Sequence, residues 1–157
     1  MQITQPKRAT RTYVQKLVAE SARVFPLLCP VREADWIDGW VPLAVISESG
    51  VAEVDCVFVT AAEPSDAIWY VTRHEPQAGF VEMLKITPGV TACRLTIQLL
   101  DTDGGCEATV TYRHTSLGPE GDVFVEAFTD ECYAEFMSDW ERRMNHYLSN
   151  GSLLRDE

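Results

Sequence analysis

A chain of 157 residues with 46% apolar and 24% charged side chains has the balance of a globular protein. It is long enough for one substantial core and too short for two insulated ones. Its formal net charge of −11 repels phosphate backbones and anionic headgroups, so neither nucleic acid nor a membrane surface is an expected partner. No apolar run approaches the roughly 20 residues of a membrane span. The first residues, with Gln2, Thr4, Gln5, Pro6 and Lys7, lack the apolar core of a signal peptide, and a cytoplasmic location is expected.

In chain order, residues 9–18 carry β-branched and aromatic side chains with partial alternation, which predicts a first strand. Ser21 then reads as a helix N-cap before a short helix whose first turn must accommodate Pro26. Pro30 opens a second short helical piece, closed by Gly39. Strands are predicted at 43–47, 53–60, 67–74, 79–87, 90–100 and 106–115. The breaks between them hold turn formers such as Pro88-Gly89 and the run from Asp101 to Gly105. Short connectors without helices imply hairpins, hence an antiparallel meander of about seven strands once the first is counted.

Alternation is clearest at the end of the meander. Cys106, Ala108, Val110, Tyr112 and His114 share one face, and the polar Glu107, Thr109, Thr111 and Arg113 share the other. The cover for the apolar face is a long C-terminal helix with Thr129 as its N-cap, Asp130 and Glu131 in its first turn, and Asn150-Gly151 as its stop. Tyr133, Phe136, Met137, Trp140, Met144, Tyr147 and Leu148 recur along it at three- and four-residue spacing. Residues 121–128 read equally as an extension of that helix or as a separate turn. Residues 1–7 and 152–157 read as disordered tails around one ordered core of about 9–150.

The order strand, two short helices, meander, long helix resembles the helix-grip fold of the START-like (SRPBCC, Bet v 1-like) superfamily. The residues that carry the resemblance are the run from Val24 to Glu33, the segment Trp36-Ile37-Asp38-Gly39-Trp40, the strand residues Val110 to Thr115, and the aromatic helix 133–148. The superfamily includes polyketide cyclases, lipid-transfer domains and plant hormone-binding proteins. The resemblance implies an α+β fold in which a curved antiparallel sheet wraps the C-terminal helix. It also implies a cavity between the two, with a small apolar or amphipathic molecule as partner.

On that frame the candidate ligand-binding residues are Tyr112, His114, Tyr70, Glu82, Trp36, Trp40, Phe136 and Trp140. Tyr112 and His114 share the covered face of the last strand, where a neutral imidazole beside a phenol can bind a polar group or move a proton. Whether Tyr70, or Trp69 and Arg73, point inward stays open, as does the direction of Glu82, which is a buried carboxylate only if it shares a covered face with Phe80 and Leu84. Trp36 and Trp40 read as structural cover or as an aromatic lid, and Arg32 and Glu33 as structural residues of the second short helix, Glu33 suiting its dipole.

The five cysteines, Cys29, Cys56, Cys93, Cys106 and Cys132, are odd in number and mostly set in apolar strings, so buried thiols are expected rather than disulfides or a zinc site. Metal, nucleotide and serine-hydrolase motifs are missing, and no cofactor is expected. The expected function is binding or transport of a lipid, polyketide or aromatic metabolite. The alternatives are a cyclase or dehydratase with His114 or Glu82 as base and Tyr112 as acid, and a protein-interaction or chaperone-regulating module. A homodimer is compatible with any of them.

Overall fold

Alternating burial along a β-branched and aromatic run builds the first strand, β1, Arg8–Leu17. The computed structural model, which describes residues 1–156, passes from β1 into a short helix, α1, Ser21–Val24, and on into a 3-10 turn, Phe25–Leu27. Pro26 falls in the first turn of that 3-10 segment, where its missing N–H leaves no bond unmade. The cap position of α1 is Glu20 rather than the expected Ser21, and the Ser21 amide instead donates to Asp101 Oδ1 at 2.7 Å. A second 3-10 turn, Arg32–Asp35, follows, and Gly39 at φ +75° turns the chain towards the sheet.

The remaining strands are β2 Ala44–Ile46, β3 Val57–Thr60, β4 Ala67–Glu75, β5 Phe80–Thr87, β6 Thr91–Thr102 and β7 Gly105–Ser116. They form a seven-stranded sheet in the order β1-β7-β6-β5-β4-β3-β2, with antiparallel pairing throughout. β3 starts at Val57, later than the sequence suggests, because Asp55 at φ +66° breaks the extended run before it. Residues 121–128 belong mostly to a separate helix, α2, Pro119–Ala127. Thr129 then caps the long helix α3, Asp130–Asn150, its hydroxyl accepting from the Cys132 amide at 3.2 Å, and Gly151 at φ +69° ends it.

α3 is fixed to the first strand by polar as well as apolar contacts. Gln15 is buried, and its amide donates to the Met137 carbonyl at 3.0 Å. The Lys16 and Val18 amides donate to Glu141 and Asn145 at 2.8 and 2.9 Å, and the Asn145 amide returns a bond to the Lys16 carbonyl. The free edge of β1 is thereby covered, while the other edge strand, β2, is only three residues long. Both devices limit edge-to-edge association.

Neither terminal segment is wholly detached from the body. Lys7 pairs with Asp122 at 2.7 Å. Leu154 bridges to Ile37, and Asp156 accepts from Arg143 at 2.6 Å. Glu157 lies outside the described residues.

Candidate functional site

The sheet presents two successive cross-strand rows to the helix side. Trp69, Lys85, Cys93 and His114 lie directly opposite one another across β4, β5, β6 and β7. Val71, Met83, Leu95 and Tyr112 form the next row, and all four are buried. The sheet curves away from α3 here, and a cavity of about 710 Å³ opens over these rows. Phe136 and Trp140 of α3, Phe124 of α2, and Phe128 close it from the helical side. Glu33, Ile37 and Trp40 close it from the segment around the second 3-10 turn. Ala61, Phe124, Cys132 and Phe136 line the cavity and are also exposed, which marks its mouth.

Ionisable side chains line this largely apolar space, among them Glu33, Lys85, Tyr112 and His114. Burial raises the Glu33 carboxyl to about 8, so it is mostly protonated at neutral pH. Burial and the nearby Lys85 charge lower His114 to about 4, which keeps its imidazole neutral. Burial lowers the Lys85 amine and raises the Tyr112 phenol, the latter also opposed by Cys93 and Glu33. The Lys85 ammonium lies 4.8 Å from the centre of the Trp69 ring, a cation–π contact. His114 stacks beside Tyr112 at 5.8 Å and meets the edges of Phe124 and Phe128 at 4.8 and 4.6 Å.

One atom among these groups is unsatisfied: the buried His114 Nδ1 has no hydrogen-bond partner among the described residues. Tyr133 shows the contrasting case, its hydroxyl donating to the Val110 carbonyl at 2.5 Å. Buried polar groups are ordinarily bonded, so the His114 nitrogen, packed within the cavity wall, is an exception.

Of the residues expected from sequence, Tyr112, His114, Trp40, Phe136 and Trp140 line the cavity. Trp36 lies beneath the wall: it is fully buried, packs edge-on against Trp140 at 5.0 Å, and donates its indole N–H to the Leu27 carbonyl at 3.1 Å. Trp40 has its own anchor, donating to the Pro30 carbonyl at 2.7 Å.

Tyr70 and Glu82 lie on the outer face of the sheet. Tyr70 is exposed and its hydroxyl donates to Asp55 at 2.7 Å. Glu82 accepts from the Thr72 hydroxyl at 2.8 Å, and it is Val81 and Met83 that face inward. The two directions left open by the sequence are thus resolved by Trp69 and Val81 being buried. The alternation in β4 also does not run through, because a bulge at Thr72 between the Val71 and Arg73 pairs shifts the register. His74 therefore joins the inner face and packs against Phe25 at 5.1 Å.

Lys85 and Glu33 were missed as site residues. Lys85 sits at the alternate position to Val81 and Met83, so the choice of Met83 as inward-facing carries Lys85 inward with it. Glu33 had no such periodic signal, since a four-residue 3-10 turn does not define a face. The buried-thiol expectation holds for Cys29, Cys56, Cys93 and Cys106, whereas Cys132 is exposed.

No protein-family model matches the chain, and no curated protein matches it in sequence. Solved structures do match. An uncharacterized protein from Rhizobium leguminosarum superposes with a TM-score of 0.64 at 15% identity, over 94% of this chain and 99% of that one. Norcoclaurine synthase from Thalictrum flavum, solved in complex with dopamine and hydroxybenzaldehyde, gives 0.66 at 13% identity, over 97% of this chain and 91% of that one. Ara h 8.0201 gives 0.62 at 13% identity, over 91% and 99%. At these identities the likeness is one of fold alone, the helix grip expected from the order of elements.

Proposed function

We propose that the protein binds a small, largely apolar aromatic molecule in the cavity between its sheet and α3. The observation that carries this reading is the space of about 710 Å³, walled by aromatic and aliphatic side chains with Tyr112 and His114 among them. Aromatic walls such as Trp69, Phe128 and Trp140 give a flat ligand stacking and edge contacts, while Tyr112 and His114 orient its polar end. The likeness to a norcoclaurine synthase solved with two aromatic molecules supports an aromatic occupant.

Native mass spectrometry of the purified protein, followed by extraction of whatever is bound, tests the proposal. A retained aromatic or otherwise apolar metabolite is expected, with weaker retention in Tyr112→Phe. Tyr70→Phe, on the outer face, serves as the control and leaves retention unchanged. A bare protein mass, with no thermal stabilisation by a panel of aromatic metabolites, would count against the reading.

A second reading, acid–base catalysis on that ligand, is favoured by the opposed titration of two cavity groups. Glu33 stays protonated up to about 8 and His114 stays neutral down to about 4. One can donate and the other accept at the same neutral pH. With Glu82 outside the cavity, His114 is the remaining base of the cyclase or dehydratase alternative, and Glu33 joins Tyr112 as a candidate acid. Turnover of an extracted ligand, lost in both His114→Gln and Glu33→Gln, would establish catalysis over carriage.

A further inference from the structure

The chain has three lysines, Lys7, Lys16 and Lys85, and their settings differ. Lys7 and Lys16 are exposed on the surface, and Lys7 is paired with Asp122. Lys85 lies on the inner face of β5 between Trp69 and Cys93, in a cavity wall made mostly of aromatic and aliphatic side chains. Among the described residues no carboxylate pairs with its amine, which rests against the Trp69 ring at 4.8 Å.

We propose that Lys85 captures a carbonyl-bearing ligand, an aromatic aldehyde or ketone, as a reversible Schiff base. This rests on the reading of the cavity as a binding site for a small aromatic molecule. The free amine of Lys85 attacks the carbonyl carbon, the C=O π electrons passing to oxygen, and a proton moves from nitrogen to that oxygen to give a carbinolamine. Loss of the hydroxyl as water, with one proton supplied to it, leaves the C=N bond of a protonated imine. The sum is amine plus carbonyl plus the one donated proton giving protonated imine plus water, with no oxidant or reductant required.

The surroundings suit each step. Burial lowers the Lys85 amine and so raises the share of its uncharged, attacking form, while the Trp69 ring pulls the other way by favouring the charged form. The carboxyl of Glu33 is mostly protonated at neutral pH, so the same cavity contains an acid that can supply the proton with which the hydroxyl leaves as water. It is bonded to no other side chain among the described residues. The mouth beside Ala61 and Phe136 gives water a route out.

The test uses 3-phenylpropanal, an aldehyde with no conjugated double bond to take up the exposed Cys132 thiol, as probe, with sodium cyanoborohydride to reduce any imine to a stable secondary amine, and cinnamyl alcohol as the analogue without a carbonyl. The expected result is one reduced adduct per chain, mapped by peptide sequencing to Lys85 in preference to Lys7 and Lys16, and suppressed by excess cinnamyl alcohol. Lys85→Arg and Lys85→Met should lose the adduct while still being thermally stabilised by the alcohol, which shows their cavity is intact. Adducts spread evenly over the three lysines, or retained in both variants, would overturn the Schiff base. If the alcohol still stabilises the wild-type protein, the binding reading survives that failure. No stabilisation of the wild type by the alcohol, together with no suppressible labelling, overturns the binding reading and the Schiff base with it.

Discussion

Two stripes of the same helix meet the sheet in different ways. Along one, Tyr133, Met137, Met144 and Leu148 are buried, and their side of α3 is tied to β1 through Gln15, Glu141 and Asn145. Along the other, one residue round the helix, Phe136 and Trp140 face the cavity over β4 to β7. The first stripe supplies cohesion and the second supplies walls. A helix clamped at one side of a curved sheet cannot fill the concavity at the other, so stability and the cavity come from a single arrangement rather than from separate regions.

The contrast is broken most severely at Met137, which is fully buried. Met137→Ala is expected to lower the unfolding free energy by about 2–5 kcal/mol, because both transfer energy and packing are lost where the core has no room to relax. Urea unfolding followed by circular dichroism measures this. A loss below that of an exposed-site substitution would mean that the clamped stripe is not the cohesive one.

The cavity side should instead declare itself through pH. Glu33 has an ordinary value of 4.5 and is raised to about 8 in the folded protein. Between those values the unfolded chain has released the proton that the folded chain still holds, so stability falls as pH rises from about 4.5 to about 8. Glu33→Gln removes that fall, and the variant should exceed the wild type at pH 9 by up to about 5 kcal/mol, with little difference at pH 4. His114 acts in the opposite direction. Its value is lowered from 6.5 to about 4, so its contribution is whole above 6.5 and is lost as pH falls through about 4. His114→Gln should flatten the acid limb, by up to about 3 kcal/mol. Equilibrium unfolding across pH 4 to 9 checks both limbs, and parallel profiles for wild type and variants would mean that neither group is held dry.

This division also explains what the sequence disclosed. The sheet and α3 were legible because period-two and three-to-four-residue patterns report which side of an element is covered: Cys106 to His114 and Tyr133 to Leu148 are read that way directly. Tyr112 and His114 followed from the same pattern. It misled at Thr72, where one extra residue in β4 reverses the facing of His74. It was silent for Glu33, on a 3-10 turn too short to have a period. Lys85 was hidden for another reason, since a charged residue at an inward position reads as an outward one until its neighbours Val81 and Met83 are known to be buried. Polar residues that a fold turns inward against their preference are the ones pattern reading misplaces, and in this cavity they are also the ones with chemistry.

The smallest stability effect is expected at the wall. Phe136 lines the cavity yet is 48% exposed, and it meets Tyr112 edge-on at 6.1 Å. Phe136→Ala removes less buried surface than Met137→Ala and leaves no sealed void, so a loss under about 1 kcal/mol is expected. Its effect on ligand retention should be larger than its effect on folding, because the ring borders the mouth and contacts the Tyr112 side of the floor. Comparing the unfolding midpoint with the affinity for cinnamyl alcohol in the same variant separates the two. If Phe136→Ala destabilises as much as Met137→Ala, the two stripes are equivalent and the cavity is closed in solution; if it weakens retention while the midpoint holds, cohesion and recognition are carried by neighbouring faces of one helix.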